Sequence, residues 1–160
     1  MATVDELPLS HRIFLKAYPW RRIAPIPWTP LRRPLAESRV ALVTSAGFVL
    51  PGQEPFDDEV RGGDTSFREI PGTVDVAALI ETHRSQSFDH TGVRSDPNLA
   101  FPLDRFRELA AGGRIGSLNH RHLSFMGSIT APGRLLRDSA PEAARRLAAD
   151  GVEVALLVPV

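Results

Sequence analysis

Residues Arg39 to Ser45 (RVALVTS) form a short, nearly continuous apolar run, the pattern of a strand buried in a sheet core. FREI, at 67 to 70, alternates apolar and charged residues like a half-buried strand, and ALIETH, ending at His83, reads as another short element. In PLDRFRELAAGG, Leu103, Phe106, Leu109 and Ala110 fall on one helical face, with Pro102 as an early helical residue and Gly112 and Gly113 at the stop. A second helix is predicted from Ser139. Glu142 stands three residues after that cap, as in a capping box, and Ala143, Ala144, Leu147 and Ala148 supply the apolar stripe. Gly151 ends this helix, and Val152 to Val158 has the length and β-branched content of a buried strand. Helix, glycine, strand is the second half of a βαβ unit. The fold class is therefore α/β: a mostly parallel sheet with flanking helices, Rossmann-like or flavodoxin-like. Ligands of such sheets bind beyond the carboxyl ends of the strands, and the chain stops at Val160 where that crevice is expected, so the domain reads as incomplete at its C-terminus.

Ahead of the sheet, residues 10 to 18 fit a short helix with Ser10 as cap and Ile13, Phe14 and Ala17 on one face. Prolines at 19, 25, 27, 30 and 34 then forbid regular helix, and Trp20 and Trp28 are expected to pin an extended arm onto the body. The predicted organisation is an N-terminal helix and Pro-rich strap over 1–38, followed by an α/β domain over 39–160.

Composition narrows the function classes. Nineteen basic residues balance nineteen acidic ones, so no net field draws in nucleic acid or an anionic membrane. No apolar run approaches the roughly 20 residues of a membrane span, and no secretory leader is visible, which makes a cytoplasmic protein the expectation. The sequence contains no cysteine, which excludes disulfides and thiolate nucleophiles within these residues.

The polar stretch from Arg84 to Asn98 has little periodicity, which points to function. Asp89-His90 offers a histidine near neutrality for general acid or base work, with Asp89, Asp64 or Asp96 as the carboxylate that fixes its tautomer. Arg68, Arg94 and Arg121 are candidate clamps for a substrate carboxylate. His83, His90, His120 and His122 with Asp89 could be imagined as a metal shell. Their spacing matches no metal motif, however, and Arg94 and Arg121 oppose a cation, so no metal is expected. Gly62-Gly63-Asp64-Thr65-Ser66 is a weak phosphate-cradle candidate, because the Lys-Ser/Thr ending and the following helix are missing.

The order of segments carries a resemblance. ALVTSAGF, GDTSFREIP, HRSQSFDHTGVRSDPNLAFPLDRFRELAAGGRIG, RHLSFMG and GVEVALLVPV resemble the selenoprotein B family of glycine, sarcosine, betaine and D-proline reductases, most closely its short D-proline-reductase-like branch. The string FDHTGVRSDPN followed by FPLDRFREL is the most specific part. The resemblance implies a cytoplasmic α/β reductase that cleaves a C–N bond of a small amino acid or amine, with a selenol as nucleophile and a dithiol as electron donor. It also implies a reductase partner subunit, with a homo-oligomer left open. In the family the strand equivalent to VEVALLVPV leads into a motif with selenocysteine or cysteine first and a cysteine three residues later. The expectation is therefore that the 160 residues hold no cofactor and are silent alone, that selenocysteine or cysteine lies beyond Val160, and that the stop is a UGA codon. Carried over residue by residue, the supporting shell is His83, Asp89, His90, Arg94 and Asn98, with Asp89-His90 assisting proton transfer and His83, Arg94, Asn98, Arg68 and Arg121 binding substrate. Two other readings are a non-catalytic module that binds a small molecule or a subunit, and a histidine-based metal hydrolase.

Overall fold

The computed structural model describes residues 4–18, 22–85 and 88–160. It divides into two compact units, Met1–Pro30 and Leu31–Val160. The first carries α1 (Leu9–Ala17), which buries none of its residues. Pro8 occupies the N-cap position and Ser10 lies inside the helix, so Ser10 is not the cap the sequence suggested. Trp20 lies outside the described residues.

In chain order the second unit contains β1 (Arg39–Thr44), β2 (Phe48–Val49), β3 (Phe67–Pro71), β4 (Ile80–Glu81) and α2 (His90–Ser95). These are followed by α3 (Leu103–Ala111), β5 (Ser117–Leu118), β6 (Arg121–Phe125), α4 (Ala140–Ala149) and β7 (Val154–Val158). The fold is α/β with a mostly parallel, curled sheet between helices. β1 is central: β7 pairs with it in parallel from Val40 opposite Val154 to Thr44 opposite Val158. Its other side is shared by β5, against Arg39 and Val40, and by β6, against Val43 and Thr44. β3 closes that side, antiparallel to β6, while β2 and β4 form a separate antiparallel pair.

Alternation along β1 builds a core on each face of the sheet. Leu42 packs with Ile70, Phe48, Phe101 and Leu103, the last from α3. Ala41 and Leu123 pack with Ala143 and Leu147 of α4, half of the stripe predicted for that helix; Ala144 and Ala148 face outward and are exposed. The capping box is absent. A π-turn, Leu135–Ser139, runs straight into α4 and the Ala140 N–H donates to the Leu135 carbonyl, so Ser139 has helical geometry and no free helix end to cap. Glu142 instead pairs with Arg145 and Arg146. Pro102 is the N-cap of α3 rather than its first turn. β1 is buried at Val40, Ala41, Leu42 and Thr44; β7 lies at the sheet edge with Leu157 67% exposed, contrary to the core position its composition predicted.

The side of β1 shared by β5 and β6 has a gap opposite Ala41 and Leu42, and His122 fills it. The Leu42 N–H donates to His122 Nδ1 at 3.0 Å, taking a ring nitrogen where a strand would offer a carbonyl. An accepting Nδ1 leaves the proton on Nε2. Burial lowers the His122 pKa from 6.5 to about 4, with Arg107 and His120 adding to the effect, so the ring is neutral at pH 7. The unfolded chain takes up this proton near 6.5 and the folded one only near 4. Stability from His122 is therefore complete above pH 6.5 and drains away as the pH falls toward 4, by on the order of 3 kcal/mol. Urea midpoints measured across this range should decline on acidification, and His122→Asn, which keeps an acceptor but cannot titrate, should flatten the decline. An equally steep decline in the variant would assign the effect to other groups.

Candidate functional site

The carboxyl ends of β1, β6 and β7 converge. The Ser45 N–H donates to the Val158 carbonyl at 3.1 Å, the Val160 N–H to Ser45 Oγ at 3.0 Å, and the Gly47 N–H to the Phe125 carbonyl at 2.9 Å. A cavity of about 350 Å³ opens here, with Val43, Phe125, Ile129, Leu135 and Leu157 among its apolar walls. A second, of about 430 Å³, is lined by His83, Ser85, Phe88, Asp89, Ala100 and Val160. This is where an open α/β sheet receives ligands. Gly127 stands between the two: a Cβ there would come within 2.7 Å of His83 Nε2 and 2.8 Å of the Ser45 carbonyl, so only glycine fits.

His83 follows β4, which is tied to the sheet through Thr82: its N–H and hydroxyl both donate to the Gly47 carbonyl, at 3.1 and 2.6 Å. The Ser85 N–H donates to His83 Nδ1 at 3.2 Å, which places the ring proton on Nε2. Burial lowers the His83 pKa, the charged His90 and Arg84 lower it further, and Glu81 opposes them. The ring is neutral at pH 7.

Glu81 is the hub of the neighbouring charges. Its side chain is 1% exposed, and a carboxylate so buried needs compensation. It accepts from His90 Nδ1 at 2.9 Å and Arg94 at 3.1 Å, and closely from the His83 N–H. His90 Nε2 faces the Ser85 carbonyl at 3.0 Å. Both ring nitrogens of His90 thus meet acceptors, and the Glu81 hydrogen bond, followed by the Ser85 carbonyl, raises its pKa. His90 therefore has no free ring nitrogen for proton transfer.

The sequence-predicted site separates accordingly. His83 and Asp89 share a cavity, and His90 and Arg94 share Glu81. Asp89 does not orient His90: it caps α2, with Oδ1 accepting from the Gly92 N–H at 2.9 Å. Neither Asp64 nor Asp96 orients it either; Asp64 receives the Asp57 and Ser66 N–H groups, and Asp96 receives that of Asn98. Asn98 is spent on α3, accepting from the Asp104 N–H at 3.1 Å and donating to its carboxylate at 3.0 Å. Arg68 holds the loop before β3: it donates to the Glu54 and Pro55 carbonyls at 2.8 and 2.9 Å and lies over Phe56. Arg121 sits at the opposite, amino-terminal end of the sheet, bidentate on Asp150 at 2.7 and 2.8 Å and bonded to Glu69 at 2.9 Å. Both guanidiniums are committed to structure. Gly62 and Gly63 cradle no phosphate; with φ of 89° and 100° they let the loop press against Ala131 and Ile129. His120 is exposed while His122 is buried, and no three metal-ligating side chains group together among the described residues.

Glu81 and Gly127 were missed from sequence. The signal for Glu81 was a carboxylate two residues before a histidine inside an otherwise apolar strand; Gly127 carried none.

Comparison with known proteins adds a second line. The family model described as glycine/sarcosine/betaine reductase selenoprotein B matches residues 8–159. The D-proline reductase subunit gamma of Acetoanaerobium sticklandii is 37% identical over 136 residues, 84% of this chain and 54% of that protein. The sarcosine reductase complex component B subunit beta of Peptoclostridium acidaminophilum is 29% identical over 152 residues, 93% of this chain and 34% of that protein. The glycine reductase complex component B subunit gamma of Carboxydothermus hydrogenoformans is 26% identical over 132 residues, 82% of this chain and 30% of that protein. The chain thus spans about half the length of the first of these relatives and about a third of the others. No solved structure matches it.

If Glu81 holds the charge on His90, Glu81→Gln should lower the pH at which the His90 ring titrates, as followed by its NMR resonances. An unchanged His90 titration would remove Glu81 from the centre of this cluster.

Proposed function

The chain belongs to the glycine/sarcosine/betaine reductase selenoprotein B family, and on that premise we propose that it is part of a cytoplasmic reductase cleaving a C–N bond of a small amino acid or amine. The observation that carries this reading is a family match along nearly the whole chain, on a sheet whose carboxyl-end crevice stands open beside His83. Glycine, sarcosine, betaine and D-proline are the substrates to consider, because they appear in the names of the family and its members.

The chemistry balances with a dithiol as donor. The C–N bond breaks, carbon and nitrogen each gain one hydrogen, and two thiols become a disulfide. None of the 160 residues is cysteine, so the thiol or selenol that attacks comes from outside them. A partner subunit fits this requirement, and the relatives are named as subunits of reductases and reductase complexes. Within this reading the chain's own residues shape and polarise the substrate pocket. The same lack of cysteine favours the second reading, a module that binds the amino acid or a subunit without turnover.

The test is a dithiol-dependent assay on the native assembly isolated with this chain, offering glycine, sarcosine, betaine and D-proline separately. One of them should yield free amine, or opened ring for D-proline, in step with disulfide. Saturable binding without product would promote the binding module, and neither binding nor product with any of the four would overturn the reductase reading.

A further inference from the structure

Among the described residues, Arg12 Nε, Asn119 Oδ1, His122 Nε2, Ser124 Oγ and His83 Nε2 are buried without a hydrogen-bond partner. His83 differs from the rest in lining the larger cavity at the sheet's carboxyl end. A buried donor without a partner costs free energy that a bound acceptor would restore. The donor is also fixed in place. The Ser85 N–H occupies Nδ1, and the ring stacks on Phe88 with centroids 4.4 Å apart.

The groups on the wall say which ligand fits. Arg94 pairs with the Glu81 carboxylate behind the wall, and Arg84 is held by the Asp58 and Val60 carbonyls. Asp89 lines the cavity, with its capping bond on Oδ1 and Oδ2 lying against Gly92. Phe88, Val93 and Ala100 make the remaining wall apolar. A site with a fixed N–H donor, a carboxylate at its rim and a short apolar wall matches one chemical class: a small zwitterion.

We propose that this cavity is the amino-acid subsite, in which the ligand's carboxylate accepts from His83 Nε2 and its ammonium faces Asp89. The inference rests on the reductase reading and assigns the residues that orient its substrate. Gly127 and Val160 stand against Nε2, and the ligand reaches it by displacing Val160, which is held at this wall through Ser45 Oγ.

The test follows the His83 ring in full-length protein labelled with ¹⁵N-histidine, titrated with glycine and with D-proline, and with propionate as a carboxylate lacking the ammonium. Saturable shifts of the His83 Nε2–H with an amino acid, weaker with propionate, are expected. His83→Phe should bind roughly tenfold more weakly, His83→Gln, which keeps a donor, should recover part of the loss, and Asp89→Asn should weaken the amino acids but not propionate. An unmoved His83 resonance, or a folded His83→Phe that binds as tightly as the parent, would overturn the inference. Failure of the reductase reading is seen separately, as absent turnover in the native assembly, and turnover with His83 unmoved would sink only this subsite.

Discussion

The central strand β1 has no water to fall back on. Val40, Ala41 and Leu42 are 1% exposed or less, so their amides must find protein partners. β7 supplies one side throughout, but the other side is split between two short strands with a gap between them. His122 closes the gap with a ring nitrogen, and the rest of the layout follows. A neutral histidine must then stay buried beside Phe101, which binds the strand order to the packing of the α3 face.

The two ends of the sheet treat charge in opposite ways. At the amino end Arg121 is paired with Asp150 and Glu69, and the Asn119 amide N–H donates to Asp150. At the carboxyl end Glu81 is overmatched by His90 and Arg94, and His83 keeps an unused N–H. The first arrangement locks strands to the end of α4. The second leaves residual polarity beside a cavity, which is what recognition requires.

Much of this was legible in the sequence where periodicity decides the outcome. The apolar run of β1, Ala143 and Leu147 of α4 and the glycine before β7 landed where the pattern put them, while Ala144 and Ala148 turned outward. Strand order is another matter: nothing in VEVALLVPV distinguishes an edge from a centre, and β7 is exposed because no strand lies outside it among the described residues. The site was half legible. His83 stood out by type, but the assignment of Asp89 to His90 failed because neighbours in sequence point apart, while Glu81, nine residues away, folds back to meet the ring. Arg68, Arg121 and Asn98 are the right residue types for a clamp, and only three-dimensional partners reveal them as occupied.

Gly127 has a bearing on how such a site can evolve. Its side-chain space is already filled by His83, the Ser45 carbonyl and Val160, so no accepted change can be made there one residue at a time. The wall leaves more room for change at Leu99, which lines the cavity and is 63% exposed. The floor of the pocket is inherited as a unit, and specificity drifts only around its rim.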